Sequence, residues 1–316
     1  MRVGVQRVLQ IPTWVRQKAA SLGQEGEAWL ARLPEVIAHL EEQWSLTAGE
    51  ALSGGSSAFV ARARTADGGE AVLKISLPDP HFRRQAQVLE RAQGRGYVRL
   101  LGVDLEHSAL LLEALGPSLE QLGMPVERQL ETLCALLTRA WEVPPWEEPT
   151  QAAVEAKARG LHELVSRLWV ELGRPCSDAV FRQALRFAEQ RVAAAEPGRA
   201  VLVHGDPHPA NALQVNTPRA GAEGGFVFVD PEGFLAEPAY DLGVVLREWC
   251  SELLAGDAPA LARRYCQLLA SQTGVDAQAI WEWGFLERVS SGLYALSFGA
   301  EELGRPFLAT AERLLD

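Results

Sequence analysis

Apolar side chains between Glu25 and Trp44 recur with the period of a helix. They stand at steps of three or four residues: Trp29, Leu33, Ile37, Leu40 and Trp44. This spacing places them along one helical face. Pro34 falls within the stripe, and proline suits the first turn of a helix better than its interior. We therefore predict two helices here, divided at Pro34.

From about Leu46 the pattern changes to short β-type segments separated by turn residues. The clearest turn signals are Gly54-Gly55 and Asp67-Gly68-Gly69. A helix-like stretch, Phe82 to Gln93, interrupts the strands before Gly94-Arg95-Gly96. This region therefore predicts a mostly antiparallel sheet that carries one helix. The predicted strands are Leu46–Leu52, Ala58–Arg64, Glu70–Ser76, Val98–Val103 and Ala109–Leu112.

After Gly116-Pro117 the pattern becomes mainly helical. Leu130, Leu133, Leu137 and Trp141 line one face of a helix that Pro144-Pro145 ends. Strand-like segments interrupt this region only briefly. We predict an α+β fold of two lobes, one formed by residues 1–115 and the other by residues 116–316. The further predicted elements are helices Thr150–Leu172 and Ser177–Ala195, a β pair formed by Ala200–Val203 and Ala212–Val215, a strand Phe226–Val229, and helices from Asp241 onward.

Length and composition narrow the classes of protein. The chain has 316 residues, 34.4 kDa and 47% hydrophobic residues, enough for two packed lobes or one large domain. Its apolar runs are far shorter than the roughly 20 residues that cross a bilayer, so we expect no membrane span. The first residues lack the apolar stretch of a signal peptide, which makes the cytoplasm the expected location.

Charge and cysteine content exclude further classes. A formal charge of -11 argues against a nucleic-acid partner, which normally meets a basic face. An acidic surface suits a cationic small ligand, although ordinary solubility accounts for most charge of this kind. The four cysteines show no CxxC spacing, so we expect buried free thiols rather than disulfides or a zinc site.

The loop between the two short strands of the predicted β pair contains residues suited to phosphoryl transfer. Asp206 and Asn211 stand five positions apart, and Asp230 ends the strand Phe226–Val229. Carboxylate and amide oxygens are the ligands that Mg²⁺ prefers, and phosphoryl transfer needs such an ion and a group that orients the attacking hydroxyl. Aspartate, asparagine, glycine and proline also mark plain turns, so the isolated residues would not be specific.

Three longer strings make the signal specific. They are H-G-D-P-H-P-A-N at 204–211, F-V-D-P-E-G at 228–233 and E-P-A-Y-D-L at 237–242. The chain resembles the aminoglycoside and choline kinase superfamily over residues 24–250, and within it the branch of streptomycin 6-kinase and hydroxyurea phosphotransferase. The resemblance implies a bilobal protein-kinase-like fold, with a small antiparallel-sheet lobe and a larger helical lobe, that uses ATP and Mg²⁺.

The resemblance also implies roles for the motif residues. Asp206 would orient or accept the proton of the acceptor hydroxyl, and Asn211 and Asp230 would ligate Mg²⁺. His204 and Asp241 would brace the loop, although Asp241 is equally consistent with a helix N-cap. His208 supports the loop or is merely exposed. A zinc role is not expected for it, because no second His or Cys stands at ligand spacing.

Nucleotide-binding residues are expected in the first lobe. Lys74 stands among apolar residues on a strand and is the candidate for the α- and β-phosphates, although a lone strand lysine is often a solvated edge residue. Ser53-Gly54-Gly55-Ser56-Ser57 forms a hairpin tip that could close over phosphates or serve as a plain β-turn. Glu113-Ala114-Leu115 is the expected lobe connection, where backbone groups would pair with adenine.

Two positions depart from the family pattern. Gln85 occupies the place of a glutamate that usually pairs with the lysine, and a neutral amide cannot neutralise Lys74. Either Glu90 substitutes from one turn further on, or the pair is weakened. Pro207 follows the aspartate where leucine is common, which biases Asp206 towards an extended backbone.

Acceptor contacts are the least specific part of the pattern. Four acids could face a cationic group, although surface solvation explains each of them as well: Glu232, Glu237, Glu301 and Glu302. His208 is a further candidate. Trp281, Trp283 and Tyr294 could wall a pocket, but their helical spacing favours core packing.

Together these residues predict an ATP- and Mg²⁺-dependent O-phosphotransferase. Its expected partners are a nucleoside triphosphate and a small, cationic, antibiotic-like hydroxyl acceptor, with a streptomycin-type aminoglycoside favoured. The expected assembly is a monomer or a weak homodimer. Gln85 motivates an alternative, a nucleotide-binding regulator of impaired catalysis, and a metabolite kinase without a resistance role is another. A metallophosphoesterase would need further Asp-x-His and Asn-His segments, and the sequence contains no Asn-His pair.

Overall fold

The computed structural model describes residues 11–52 and 57–315, apart from the side chain of Trp14. The chain divides into two compact units. The first contains the residues up to Gly94 and Val98–Gly116; the second contains Arg95–Tyr97 and the residues from Pro117 onward. The short segment Arg95–Tyr97 therefore belongs to the second unit, although it lies within the first lobe expected from the sequence.

The first unit begins with α1 (Thr13–Ser21) and α2 (Gln24–Gln43). The predicted division at Pro34 is wrong, because α2 continues through this residue. An interior proline costs about 3 kcal/mol. Leu33, Ile37 and Leu40 lie on both sides of it and are buried in the core of this unit, each contributing about 2 kcal/mol. Their burial outweighs the lost backbone bond.

A five-stranded antiparallel sheet forms most of the first unit, as predicted. Its order is β1-β2-β3-β5-β4. The fourth strand starts two residues later than expected, at Leu100. The strands are β1 (Leu46–Ala51), β2 (Ala58–Thr65), β3 (Glu70–Ser76), β4 (Leu100–Asp104) and β5 (Ala109–Glu113), and the helix between β3 and β4 is α3 (Phe82–Ala92).

Short strands in the second unit hold the motif region. The predicted pairing of the segments around residues 200–203 and 212–215 is wrong. β7 (Val201–Val203) pairs with β10 (Phe234–Ala236), whereas β8 (Ala212–Val215) lies between β6 (Leu115–Ser118) and β9 (Phe226–Phe228). A 3-10 turn at 209–211 redirects the chain between β7 and β8, so these two strands enter different sheets.

Helices complete the second unit. Thr150 and Ser177 cap α5 and α6 with their hydroxyl oxygens. Trp283 is 2% exposed and belongs to the core, as predicted, but Tyr294 is 52% exposed, so core packing is wrong for Tyr294. The helices are α4 (Val126–Ala140), α5 (Gln151–Glu171), α6 (Asp178–Ala193), α7 (Ala239–Leu246), α8 (Cys250–Ala255), α9 (Ala258–Thr273), α10 (Ala277–Ser297) and α11 (Glu301–Arg313).

The structure also bears on the expectations of free cysteine thiols and of no membrane span. All four cysteines are free thiols, and three of them are buried. Within residues 11–52 and 57–315, no helix combines the length and apolar character that a membrane crossing needs.

Candidate active site

Asp241, in the first turn of α7, holds the start of the loop 204–211. Its Oδ2 accepts the backbone N–H of His204 and its Oδ1 accepts that of Gly205, both at 2.9 Å. The indole N–H of Trp141 donates to Oδ2 at 2.9 Å. Asp241 is inside α7, so the N-cap interpretation is wrong. Burial raises the pKa of Asp241 to about 6, although these three donors oppose the shift.

His204 is fully buried beneath the same loop. Its Nδ1 accepts the backbone N–H of Asp206 at 3.1 Å, so its Nε2 carries the proton and donates to the Val229 carbonyl at 2.9 Å. The ring stacks on Tyr97 at 5.9 Å and packs against Phe228 at 4.6 Å. Burial lowers the pKa of His204 to about 4, which keeps it neutral. His204 therefore connects the loop to the end of β9.

Gly205 permits a close approach that another residue would block. Its φ is +96°, in the left-handed region that favours glycine. A Cβ at this position would lie 2.7 Å from the Cβ of Glu232 and 2.9 Å from a ring carbon of Phe234. The Gly205 carbonyl accepts the hydroxyl of Tyr240 at 3.3 Å. The turn that presents Asp206 is consequently packed on both sides.

Two cationic or titratable side chains contact the Asp206 carboxylate. Arg247 Nη2 lies 2.5 Å from Oδ1, and His208 Nε2 lies 3.4 Å from Oδ2. Burial favours protonation of Asp206, but the His208 hydrogen bond and the Arg247 charge hold its pKa well below the usual range. Burial likewise disfavours a charged His208, yet Asp206 raises the pKa of this imidazole. Asp206 is therefore an ionised carboxylate at neutral pH.

Arg247 is a site residue that the sequence did not identify. It follows α7 and also donates to Glu287 Oε2 at 2.9 Å and to Ser291 Oγ at 3.2 Å. Glu287 accepts the Tyr240 hydroxyl at 2.7 Å as well. Arg247 therefore connects Asp206 to the buried helix α10. The sequence signal was only a cation directly after an apolar helical run.

Asn211 and Asp230 are brought together by the backbone. The Asn211 carbonyl accepts the N–H of Val229 at 2.9 Å, and Asp230 is the next residue after Val229 along the chain. The Asn211 amide Nδ2 donates to the Asp206 carbonyl at 3.0 Å. Asp230 adopts φ +57° directly after β9. An amide oxygen and a carboxylate on adjoining backbone segments form a donor set that fits Mg²⁺.

The first unit contains the predicted nucleotide residues that can be described. Lys74 lies on β3, is 8% exposed, and donates to Gln85 Oε1 at 3.3 Å. Glu90 is exposed on α3. Glu113 ends β5 and accepts the Arg99 backbone N–H at 2.9 Å, and Leu115 begins β6. The hairpin-tip candidates Ser53, Gly54, Gly55 and Ser56 lie outside the described residues.

The acidic acceptor candidates differ in environment. Glu232 follows the Asp230 turn with its side chain 50% exposed, and its carboxylate lies 3.6 Å from Lys157 Nζ. Glu237 is half-buried, so a solvated surface role is wrong for it: its Oε1 accepts the Trp283 indole N–H at 2.8 Å and lies 3.2 Å from Arg191. The remaining two acids, Glu301 and Glu302, are exposed in the first turn of α11.

Comparison with known proteins gives a family match over most of the chain. Residues 43–299 match the family described as aminoglycoside/hydroxyurea antibiotic resistance kinase. The streptomycin 6-kinase of Streptomyces glaucescens is 28% identical over 303 residues, covering 94% of each chain. The hydroxyurea phosphotransferase of Kitasatospora aureofaciens is 28% identical over 335 residues, covering 99% of this chain and 92% of the relative.

A solved structure shares the fold. An aminoglycoside phosphotransferase from Streptomyces rimosus, determined in complex with ADP and streptomycin, superposes with a TM-score of 0.54 at 17% identity. The match covers 82% of this chain and 98% of that one. The bilobal kinase-like class expected from the sequence is therefore confirmed.

Proposed function

Because the chain belongs to the aminoglycoside/hydroxyurea antibiotic resistance kinase family, we propose that it transfers the γ-phosphoryl group of ATP to a hydroxyl of a cationic antibiotic. The enzyme class itself, a phosphotransferase with a hydroxyl acceptor, follows from the family. The observation that supports the proposal best is the Asp206 carboxylate, which the His208 hydrogen bond and the Arg247 guanidinium at 2.5 Å together hold ionised. A streptomycin-type aminoglycoside is the favoured acceptor.

Asp206 is the proposed catalytic residue. Phosphoryl transfer proceeds through a loose transition state, so the main requirement is a well-placed hydroxyl rather than a strong base. A carboxylate with a depressed pKa accepts the hydroxyl hydrogen bond without taking the proton early. Because His208 contacts Oδ2 at 3.4 Å, longer than the Arg247 contact to Oδ1, we propose that the acceptor hydroxyl approaches Oδ2.

Nucleotide and metal are assigned by the chemistry of the donors. Asn211 and Asp230 would hold Mg²⁺, which when bound neutralises charge on the phosphates. Lys74 would contact the α- and β-phosphates. Asp241 and His204 fix the backbone of the loop through the hydrogen bonds described above, so that Asp206 and Asn211 keep their places during turnover.

A cationic acceptor is supported by charge. The chain has a formal charge of -11, and an acidic surface raises the local concentration of cations. Glu232 presents a half-exposed carboxylate two residues after Asp230. Relatives of nearly full coverage are named for streptomycin and for hydroxyurea, which places both compounds in the first group of acceptors to test.

A panel assay with a matched pair of variants tests this proposal. Purified enzyme is incubated with ATP, Mg²⁺ and each of streptomycin, other aminoglycosides, hydroxyurea and basic peptide antibiotics, and ADP release and phosphorylated product are measured. Asp206→Asn should reduce kcat by at least about 10³-fold while ATP binding persists, whereas the exposed Asp178→Asn should behave as the parent. Substantial turnover by Asp206→Asn would contradict the assignment.

A second candidate function rests on one contact. Gln85 meets Lys74 at 3.3 Å with a neutral amide, so this partner supplies no negative charge to the lysine. A regulator that binds nucleotide without productive turnover fits that contact. The two functions separate cleanly: a uniformly negative panel with intact ATP binding favours the regulator, and phosphorylation of any small molecule excludes it.

A further inference from the structure

Three potential metal ligands meet in the first unit, on elements that the phosphoryl-transfer residues do not use. They are His39 on α2, Asp104 at the end of β4, and His107 in the turn between β4 and β5. One ligand atom from each residue lies within 4.8 Å of the other two. This is the one such group of His, Cys, Asp or Glu residues found among residues 11–52 and 57–315.

The three ligand atoms lie near, but not at, the spacing of a bound ion. His107 Nδ1 and Asp104 Oδ1 are hydrogen-bonded at 3.1 Å. Two ligands that are each about 2.1 Å from one tetrahedral Zn²⁺ stand about 3.4 Å apart, so this pair must separate by a few tenths of an ångström when the ion replaces the shared proton. The rings of His39 and His107 have centroids 4.9 Å apart and are tilted by 42°. His39 is exposed, so its ring can rotate to close the remaining gap.

The backbone that carries these ligands is already fixed. Asp104 Oδ1 accepts the backbone N–H of His107 at 2.8 Å, which sets the turn. The Trp44 indole, directly after α2, packs on Gly102 of β4, where a Cβ would lie 3.1 Å from the ring. The first contact fixes the turn and the second packs the end of α2 on β4, both without any ion. A ligand set that exists before binding requires little ordering when the ion arrives.

Turn formation alone explains only part of this cluster. It accounts for Asp104 accepting the His107 N–H. It does not account for a second imidazole from α2 beside the first. Two imidazoles and a carboxylate suit first-row transition-metal ions such as Zn²⁺, whereas Mg²⁺ prefers an all-oxygen set.

We propose that His39, Asp104 and His107 bind one divalent transition-metal ion of the Zn²⁺ type, with water at the remaining coordination positions. The ion joins α2 to the β4–β5 turn and thereby stabilises the first unit.

Metal titration of the full-length, tag-free enzyme tests the site directly. Protein stripped with EDTA and desalted, without nucleotide, is titrated with Co²⁺ while visible absorption is recorded, and Zn²⁺ is then added to displace it. We expect one high-affinity equivalent of Co²⁺ with d–d bands, displacement by Zn²⁺, and a Zn²⁺-dependent rise in the unfolding temperature. Absence of a saturable Co²⁺ spectrum would overturn the proposal.

Four variants assign the ligands. His39→Gln and His107→Gln should each weaken Co²⁺ and Zn²⁺ binding at least about tenfold. Asp104→Asn keeps an oxygen that can accept the His107 N–H but loses the carboxylate charge, and should weaken binding similarly. The control is His162→Gln, which removes a surface imidazole lying 3.7 Å from a carboxylate oxygen of Glu189.

Two measurements distinguish loss of the proposed metal site from misfolding and from non-specific metal binding. Circular dichroism without metal must match the parent for each variant used, and the exposed His39→Gln is the one least able to disturb packing. If His39→Gln binds metal within twofold of the parent, or if His162→Gln loses as much affinity, the assignment is wrong.

Discussion

Arg247→Met separates two consequences of a single guanidinium group. Arg247 contacts Asp206 Oδ1 at 2.5 Å and donates to Glu287 Oε2 at 2.9 Å. Methionine keeps an unbranched stem of similar length but removes the charge and every donor. The variant therefore leaves Glu287 as a buried anion and leaves Asp206 without its nearest cation.

Loss of the Arg247–Glu287 ion pair accounts for most of the expected loss of stability. Its side chain is 4% exposed, and breaking a buried pair by removing one partner costs about 3–5 kcal/mol. The Asp206 side chain is 33% exposed, so solvent screening limits its share to about 1 kcal/mol or less. We expect the free energy of unfolding to fall by about 3–5 kcal/mol. At about 2 °C per kcal/mol, the unfolding temperature drops by roughly 6–10 °C.

Loss of the Arg247–Asp206 contact accounts for most of the expected fall in kcat. Loss of the Arg247 charge lets the pKa of Asp206 rise, and loss of the contact frees its rotamer. Misplacement of a reacting group by about 1 Å costs on the order of 10²-fold in rate. We therefore expect kcat to fall by about 10²-fold, with little change in KM for ATP, in an ADP-release assay with the acceptor found in the panel.

The double variant Arg247→Met/Glu287→Gln decides between the two effects. Gln removes the buried charge, so most of the unfolding temperature should return. Turnover should stay low, because Asp206 still lacks its cation. If the double variant recovers kcat to within twofold of the parent, Arg247 acts on activity only through folding, and the reasoning is refuted.

Three further changes test other parts of the site. Gly205→Ala adds a Cβ at φ +96° and 2.7 Å from a neighbouring carbon; thermal unfolding should show a loss of about 2–4 kcal/mol, whereas Gly198→Ala, in open space, should show almost none. Gln85→Glu replaces the amide that contacts Lys74 by a carboxylate and should raise kcat/KM for ATP severalfold in steady-state assays; an unchanged value would mean that this pair is not limiting. Burial raises the pKa of Asp241 to about 6 from its usual 3.8, so its protonation stabilises the fold by about 2 kcal/mol as pH falls from 7 to 4; urea unfolding at both pH values should show that Asp241→Asn lacks this gain, and an identical pH dependence would contradict the shift.

Local patterns were sufficient for most elements of the fold. Alternation and turn residues placed the strands of the first sheet to within about two residues, since four of the five strands contribute buried residues to one core with α2. The apolar stripe on α2 was also predicted correctly, but the division of this helix at Pro34 was not. Its outcome depends on how much apolar surface lies on either side, which is a property of packing rather than of local propensity.

Long-range partners were beyond the sequence pattern. β7 and β8 flank one loop, and nothing in their composition reveals that β7 pairs with β10 instead. Arg247 is similarly hidden, because only the folded chain brings it to Asp206. The motif residues could be named because their spacing is compact. Of the two groups that lower the pKa of Asp206, His208 lies within the motif itself, whereas Arg247 could not be named because it comes from the end of α7.

The placement of Tyr97 in the second unit has a consequence for synthesis. The ribosome releases this residue long before His204 and Phe228, the rings against which it packs. The sheet of the first unit can therefore close around the flanking strands while the Tyr97 ring still awaits its neighbours. Contacts between distant parts of a chain form slowly. Tyr97 can therefore support the motif loop only after the chain has been synthesised as far as Phe228.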